Sequence, residues 1–157
     1  MNQTERIIGS KILRKLPYEP NSQQMEIIAA LSKFVADTDG RSVFLLNGYA
    51  GTGKTSLAGA LVAALPALRR QAVLLAPTGR AAKVFAAYSR HSAFTIHRKI
   101  YQSRRYNPED SHFCLARNNH KNTLFIVDEA SMIANNASEG AVFGTGCLLD
   151  DLITYVY

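Results

Sequence analysis

Cysteine is scarce in this chain of 157 residues. The two thiols, Cys114 and Cys147, stand far apart, with no C-x-x-C and no paired histidine spacing. That excludes a disulfide framework and a zinc site of the usual spacing. Two lone thiols point to a reducing compartment. Long apolar runs are missing too: none approaches the roughly 18 residues of a membrane span. The N-terminus carries Glu5, Arg6, Lys11, Arg14 and Lys15 where a signal peptide has its apolar core. A soluble, cytoplasmic protein is expected. No low-complexity tract, internal repeat or interdomain linker is visible. Lysine and arginine are absent after Ser131.

What is present suits one folded domain. Hydrophobic residues make up 47% and charged residues 19%, enough apolar matter for a core and too little charge for a disordered chain. The net charge of +6 is unevenly placed. Eleven of the 18 basic residues lie between Arg69 and Lys121, against two of the 12 acidic ones. A polyanion partner fits this segment, and so does an ordinary solvated basic surface.

The stretch Gly48-Tyr49-Ala50-Gly51-Thr52-Gly53-Lys54-Thr55 fits G-x-x-x-x-G-K-[ST], the phosphate-cradling P-loop. Before it, Ser42–Asn47 (SVFLLN) is an apolar run of strand type. After it, TSLAGALVAAL reads as helix. Glycines let successive N–H groups converge on phosphate oxygens, and the helix adds its positive end. Ala50 and Thr52 belong to the same cradle. Lys54 would reach the β- and γ-phosphates of ATP, and the Thr55 hydroxyl would hold Mg²⁺.

Elsewhere the pattern predicts an arm or short helix to Leu16 and a helix from about Ser22 to Ala36, capped by Asn21. A turn follows at Asp37–Gly40. Strands are predicted at Gln71–Ala76 and Leu124–Val127. Helices are predicted at about Arg80–Ser89, Ile96–Tyr101 (capped by Thr95) and Leu148–Tyr157. Residues 102–122 read as an irregular excursion with room for one hairpin, and 135–146 as a loop. Strands alternating with helices give an α/β fold with a parallel sheet covered on both faces.

The third strand runs straight into Asp128-Glu129. Beside a P-loop, Asp128 suits the Mg²⁺ shell, and Glu129 suits positioning and deprotonating an attacking water. Gln24 offers an amide that matches an adenine edge, although the residue by itself favours a solvent-facing helix glutamine. Thr78, Gly79, Arg80 and Lys83, with Thr95 and His97, offer donors for a second phosphate chain. His97 also fits a capping or buried role. Phe85, Tyr88, Tyr101 and Tyr106 could stack bases, with at least two of them expected in the core.

Taken in order, Gln24, GYAGTGKT at Gly48–Thr55, APTGRAAK at Ala76–Lys83, TIHR at Thr95–Arg98 and VDEAS at Val127–Ser131 resemble the N-terminal part of RecD-like superfamily 1 DNA helicases, the group that includes Pif-type helicases. The resemblance runs from about Pro20 to the end. It implies a three-layer RecA-like domain over residues 21–157 behind an arm at 1–20, with ATP and Mg²⁺ as cofactors. It implies ATP-driven 5′→3′ translocation on single-stranded DNA. It implies adenine contact at Gln24, and DNA-backbone contact at Thr78–Lys83 and Thr95–His97.

The chain departs from that group after Ser131. The strand ending in Gly-Asp-x-x-Gln and the second RecA-like domain with its arginine fingers have no counterpart here. The sheet is therefore expected to be incomplete at its C-terminal end. The isolated chain is expected to bind nucleotide weakly, to turn it over very slowly and not to unwind DNA; a finger is worth about 10³–10⁵ in rate. Two other readings stay open. One is a nucleotide-dependent single-strand-binding module without turnover. The other is a different P-loop NTPase or kinase.

Overall fold

The computed structural model describes residues 2–37, 40–103, 112–134 and 142–157. The expected turn at Thr38 and Asp39, the excursion at 104–111 with Tyr106, and the loop at 135–141 lie outside the described residues. The chain divides into two compact units, Met1–Ala72 with Tyr88–Arg90, and Val73–Ala87 with His91–Tyr157.

The first unit is helical. Helix α1 (Gln3–Leu13) and helix α2 (Ser22–Ala36) each open on a capping box, Asn2 with Glu5 and Asn21 with Gln24. Each box satisfies two backbone groups that a helix start leaves open. Ile8 and Ile12 on α1, and Ile28, Leu31 and Val35 on α2, recur at helical spacing and are buried. Helix α3 (Lys54–Ala64) adds Leu57, Leu61 and Val62, and α1 packs against both α2 and α3. Burying each such side chain stabilises by about 1.5–3 kcal/mol. A 3₁₀ turn at Leu65–Leu68, with Pro66 in its first turn, closes the run.

The segment Ser42–Asn47, expected as the strand leading into the P-loop, forms no strand. Phe44 keeps a ring contact with Phe34 on α2, at 5.5 Å between centroids. Val43 and Leu45 remain 69% and 73% exposed. The physical reason is pairing. An apolar run of this kind is written for a strand with neighbours at both edges, and a strand exists only when its N–H and C=O groups find a ladder. Among the described residues no strand pairs with it.

The second unit holds the sheet. Strand β1 (Gln71–Ala76) lies at its centre and buries four successive residues, Val73 to Ala76, which marks a strand covered on both faces. Helix α4 (Gly79–Ser89) follows. Strand β2 (Ala93–Thr95), not foreseen in the sequence, pairs parallel with β1, Leu75 opposite Phe94. Helix α5 (Ile96–Ile100) leads into an antiparallel ribbon of β3 (Tyr101–Ser103) and β4 (Phe113–Leu115), the foreseen hairpin. Strand β5 (Thr123–Val127) completes the parallel sheet in the order β2-β1-β5. Helix α6 (Leu148–Val156) carries Leu152 and Tyr155 into a core shared with Val73, Leu75, Ile96, Ile100 and Tyr101. The fold is thus α/β with a parallel three-stranded sheet and helices, consistent with an incomplete RecA-like P-loop domain. Among the described residues, no helix is long and apolar enough to cross a membrane.

Candidate nucleotide-binding site

The glycine loop takes the backbone path its sequence requires. Gly51 and Gly53 have φ of +78° and +86°, left-handed conformations that disfavour a side chain. Thr52 donates from both its N–H and its hydroxyl to the Tyr49 carbonyl, at 3.4 and 2.8 Å. Lys54 folds over the loop, and its Nζ donates to the carbonyls of Gly48 and Tyr49 at 2.6 and 2.8 Å. An ammonium has three donors, so one is left for an anion.

Gly53 is the N-cap of α3, and no side chain caps that helix. Its first N–H groups and the positive end of its dipole are open to a ligand. A Cβ built on Gly51 would meet nothing within 4 Å, so that side of the loop is open. These features fit a nucleoside triphosphate. Gly48, Ala50, Gly51, Thr52 and Gly53 would supply the cradle, Lys54 the charge and Thr55 a hydroxyl for Mg²⁺.

Gln24 reaches this loop from α2. Its Oε1 accepts from the Asn21 N–H at 3.2 Å, and its Nε2 donates to the Thr52 carbonyl at 3.2 Å and toward the Tyr18 hydroxyl at 3.5 Å. Tyr18 was missed in the sequence. The available signal was an aromatic held between Pro17 and Pro20, six positions before Gln24.

In the second unit, Asp128 and Glu129 leave the end of β5. The Asp128 N–H donates to the Leu75 carbonyl at 3.0 Å, and Asp128 Oδ1 accepts from the Glu129 N–H at 3.0 Å. Glu129 is exposed, with φ +54°, a strained conformation for a residue with a side chain. Ser131 and Met132 lie in the 3₁₀ turn that Glu129 caps. The pair is presented at the carboxyl end of a parallel strand, where α/β folds place their chemistry.

The residues foreseen as nucleic-acid contacts divide. Thr78 Oγ1 accepts from the Ala81 N–H, and Thr95 Oγ1 from the Arg98 N–H, both at 3.2 Å. Both threonines therefore act as helix caps, which leaves each hydroxyl its proton to donate. Gly79, Arg80 and Lys83 are exposed at the start of α4. The His97 ring is half-buried and packs against Phe143 and Tyr101, at 5.2 and 5.7 Å between centroids. Phe85 and Tyr101 are core residues, and Tyr88 is 69% exposed. Lys99 was not singled out; it and Arg98 both lie over the Phe94 ring, at 5.6 and 5.9 Å from its centroid. Each such contact is worth about 0.5–1 kcal/mol at an exposed site. Burial and the nearby Lys99 lower the pKa of His120 below the usual histidine range.

A family model described as an AAA domain matches residues 20–142. The chain belongs to the AAA-domain family. No curated protein and no solved structure matches the chain. As an AAA domain, it is a nucleotide-binding P-loop ATPase module, for which ATP, usually with Mg²⁺, is the expected cofactor. The match spans the P-loop, the α4 start, α5 and the acidic pair.

Proposed function

We propose that this AAA domain is the ATP-binding part of a RecD-like, 5′→3′ DNA helicase, which couples ATP hydrolysis to movement along single-stranded DNA. The observation that carries the ATP half is the uncapped start of α3 beneath left-handed Gly53, with Lys54 held across the loop mouth. The motif order and the family match support the helicase half.

When bound, ATP with Mg²⁺ supplies a phosphoanhydride activated for attack by water. In this reading the loop N–H groups and Lys54 neutralise charge on the phosphates. The resemblance would assign Thr55 and Asp128 to the metal's shell, and Glu129 to accepting a proton from the attacking water. The resemblance would set Gln24 against adenine, whereas its contacts in this structure run to the Thr52 carbonyl and the Asn21 N–H. Arg80, Lys83, Thr78, Thr95 and His97 follow a DNA backbone. In this reading the partner is a second RecA-like domain that brings arginine to the γ-phosphate. By itself the chain hydrolyses ATP very slowly.

The second reading is a single-strand-binding module without turnover. The exposed Arg80 and Lys83 and the cations over Phe94 support it. A third, a P-loop enzyme acting on a small molecule, has no further support. ATP turnover with and without single-stranded DNA separates the three. DNA-stimulated turnover lost in Lys54→Ala supports the helicase reading. DNA binding without turnover supports the second, and turnover indifferent to DNA supports the third.

A further inference from the structure

Gln24 makes contacts that reading a base would not require. Its amide lies in one orientation only, because both ends are assigned by their partners. The oxygen faces the Asn21 N–H, and the nitrogen faces the Thr52 carbonyl. Turning the amide over would set oxygen against oxygen and nitrogen against N–H. The second N–H of Nε2 is directed at the Tyr18 hydroxyl. A Cβ added to Gly53 would lie 2.8 Å from that hydroxyl and 2.9 Å from Gln24 Nε2. Two side chains from outside the loop therefore close on the Thr52–Gly53 peptide.

The peptide's planarity gives this contact a consequence. The Thr52 carbonyl and the Gly53 N–H belong to one trans peptide, so they point in opposite directions. Holding the carbonyl toward Gln24 fixes the Gly53 N–H away from Gln24. With φ at +86°, Gly53 has no steric barrier of its own against a peptide flip. The restraint has to come from outside the loop, and a flipped peptide would offer an oxygen where the cradle needs a donor.

We propose that Tyr18 and Gln24 are positioning residues that lock the Thr52–Gly53 peptide in its phosphate-binding orientation, Tyr18 acting through the Gln24 amide. The inference rests on the nucleotide reading of the P-loop. It differs in what the pair controls: affinity for the polyphosphate rather than recognition of the base.

The test compares Tyr18→Phe, Gln24→Ala and the double variant with the parent chain. Titration with MgATP and with inorganic tripolyphosphate, which has no base, separates the two roles. Each single variant is expected to weaken both ligands alike, by about three- to tenfold. The double variant should be no worse than Gln24→Ala, because Tyr18 acts through that amide. In Tyr18→Phe the ¹⁵N–¹H resonance of Gly53 should move in the ligand-free protein with the thermal midpoint unchanged, a signature that a merely structural role does not give. Weakened MgATP with unchanged tripolyphosphate overturns the proposal in favour of base recognition. Unchanged affinities for both overturn it as well. If the parent chain binds neither ligand, the nucleotide reading itself fails and takes the inference with it.

Discussion

The Tyr101 hydroxyl donates to Asp151 Oδ2 at 2.6 Å, joining the end of α5 to the first turn of α6. Asp151 is 1% exposed and is satisfied by two further donors, the Thr145 N–H and the Thr145 hydroxyl, each at 2.9 Å. A buried carboxylate is tolerable only with such partners. Tyr101→Phe is expected to destabilise the chain by about 1.5–3 kcal/mol, the range for a hydrogen bond to a charged group. Asp151→Ala should cost more, because it strands three donors. Urea unfolding checks both, and a Tyr101→Phe midpoint equal to the parent's would contradict the assignment.

The same pair sets the alkaline limit. Burial first, then the hydrogen bond and charge of Asp151 and the charge of Cys147, push the Tyr101 pKa far above the usual tyrosine value; burial alone raises Tyr155. Above about pH 10 the unfolded tyrosines release protons that the folded ones retain, so the unfolded state gains. Stability present below pH 10 is therefore lost progressively above it, and Tyr101→Phe should flatten that fall. His120 acts at the other side. Its lowered pKa means that the unfolded state binds the proton more readily, so stability falls as pH drops below about 6.5. Thermal midpoints from pH 5 to 11 test both flanks.

Two glycines rank the demands of the phosphate loop, and Gly79 outside it serves as a control. Gly53→Ala meets both a left-handed φ and the crowding by Tyr18 and Gln24, so it should abolish nucleotide binding. Gly51→Ala faces open space and only the backbone cost, about 1 kcal/mol. Gly79→Ala, with open space and no positive φ, should be neutral or slightly stabilising. Titration with a fluorescent ATP analogue gives the order, and a tighter Gly53→Ala than Gly51→Ala would refute it.

Val43→Thr and Leu45→Thr should leave the thermal midpoint within error, because these side chains bury little. They should raise solubility and lower binding of a hydrophobic dye. Leu75→Ala, at a fully buried β1 position, should instead cost about 2–5 kcal/mol.

If the chain binds single-stranded DNA as proposed, charge neutralisation at Arg98 and Lys99 should reduce that affinity and make its salt dependence shallower. Unchanged affinity and slope in Arg98→Gln with Lys99→Gln would leave those cations as partners of Phe94 alone.

Much of the chain was legible because its signals are local. The capping box of Asn21 with Gln24 starts α2 where the pattern put it, and the apolar run Gln71–Ala76 is β1 to the residue. The glycine spacing of the P-loop specifies its left-handed turns. Thr95 was legible as a helix cap and Thr78 only as a turn hydroxyl, because a capping hydroxyl and a phosphate-binding one look the same in sequence. Strand β2 is three residues long and too short to carry a period.

The sequence by itself determined the α/β class, the phosphate loop, the acidic pair and most helix boundaries, since each depends on residues within one or two turns of one another. Tertiary structure alone decided that Ser42–Asn47 stays outside the sheet, that Tyr18 and Gln24 close on Gly53, and that Asp151 is buried beneath Tyr101. Those outcomes depend on partners distant in the chain, and neither a strand's ladder nor a buried charge's donors can be read from its neighbours in sequence.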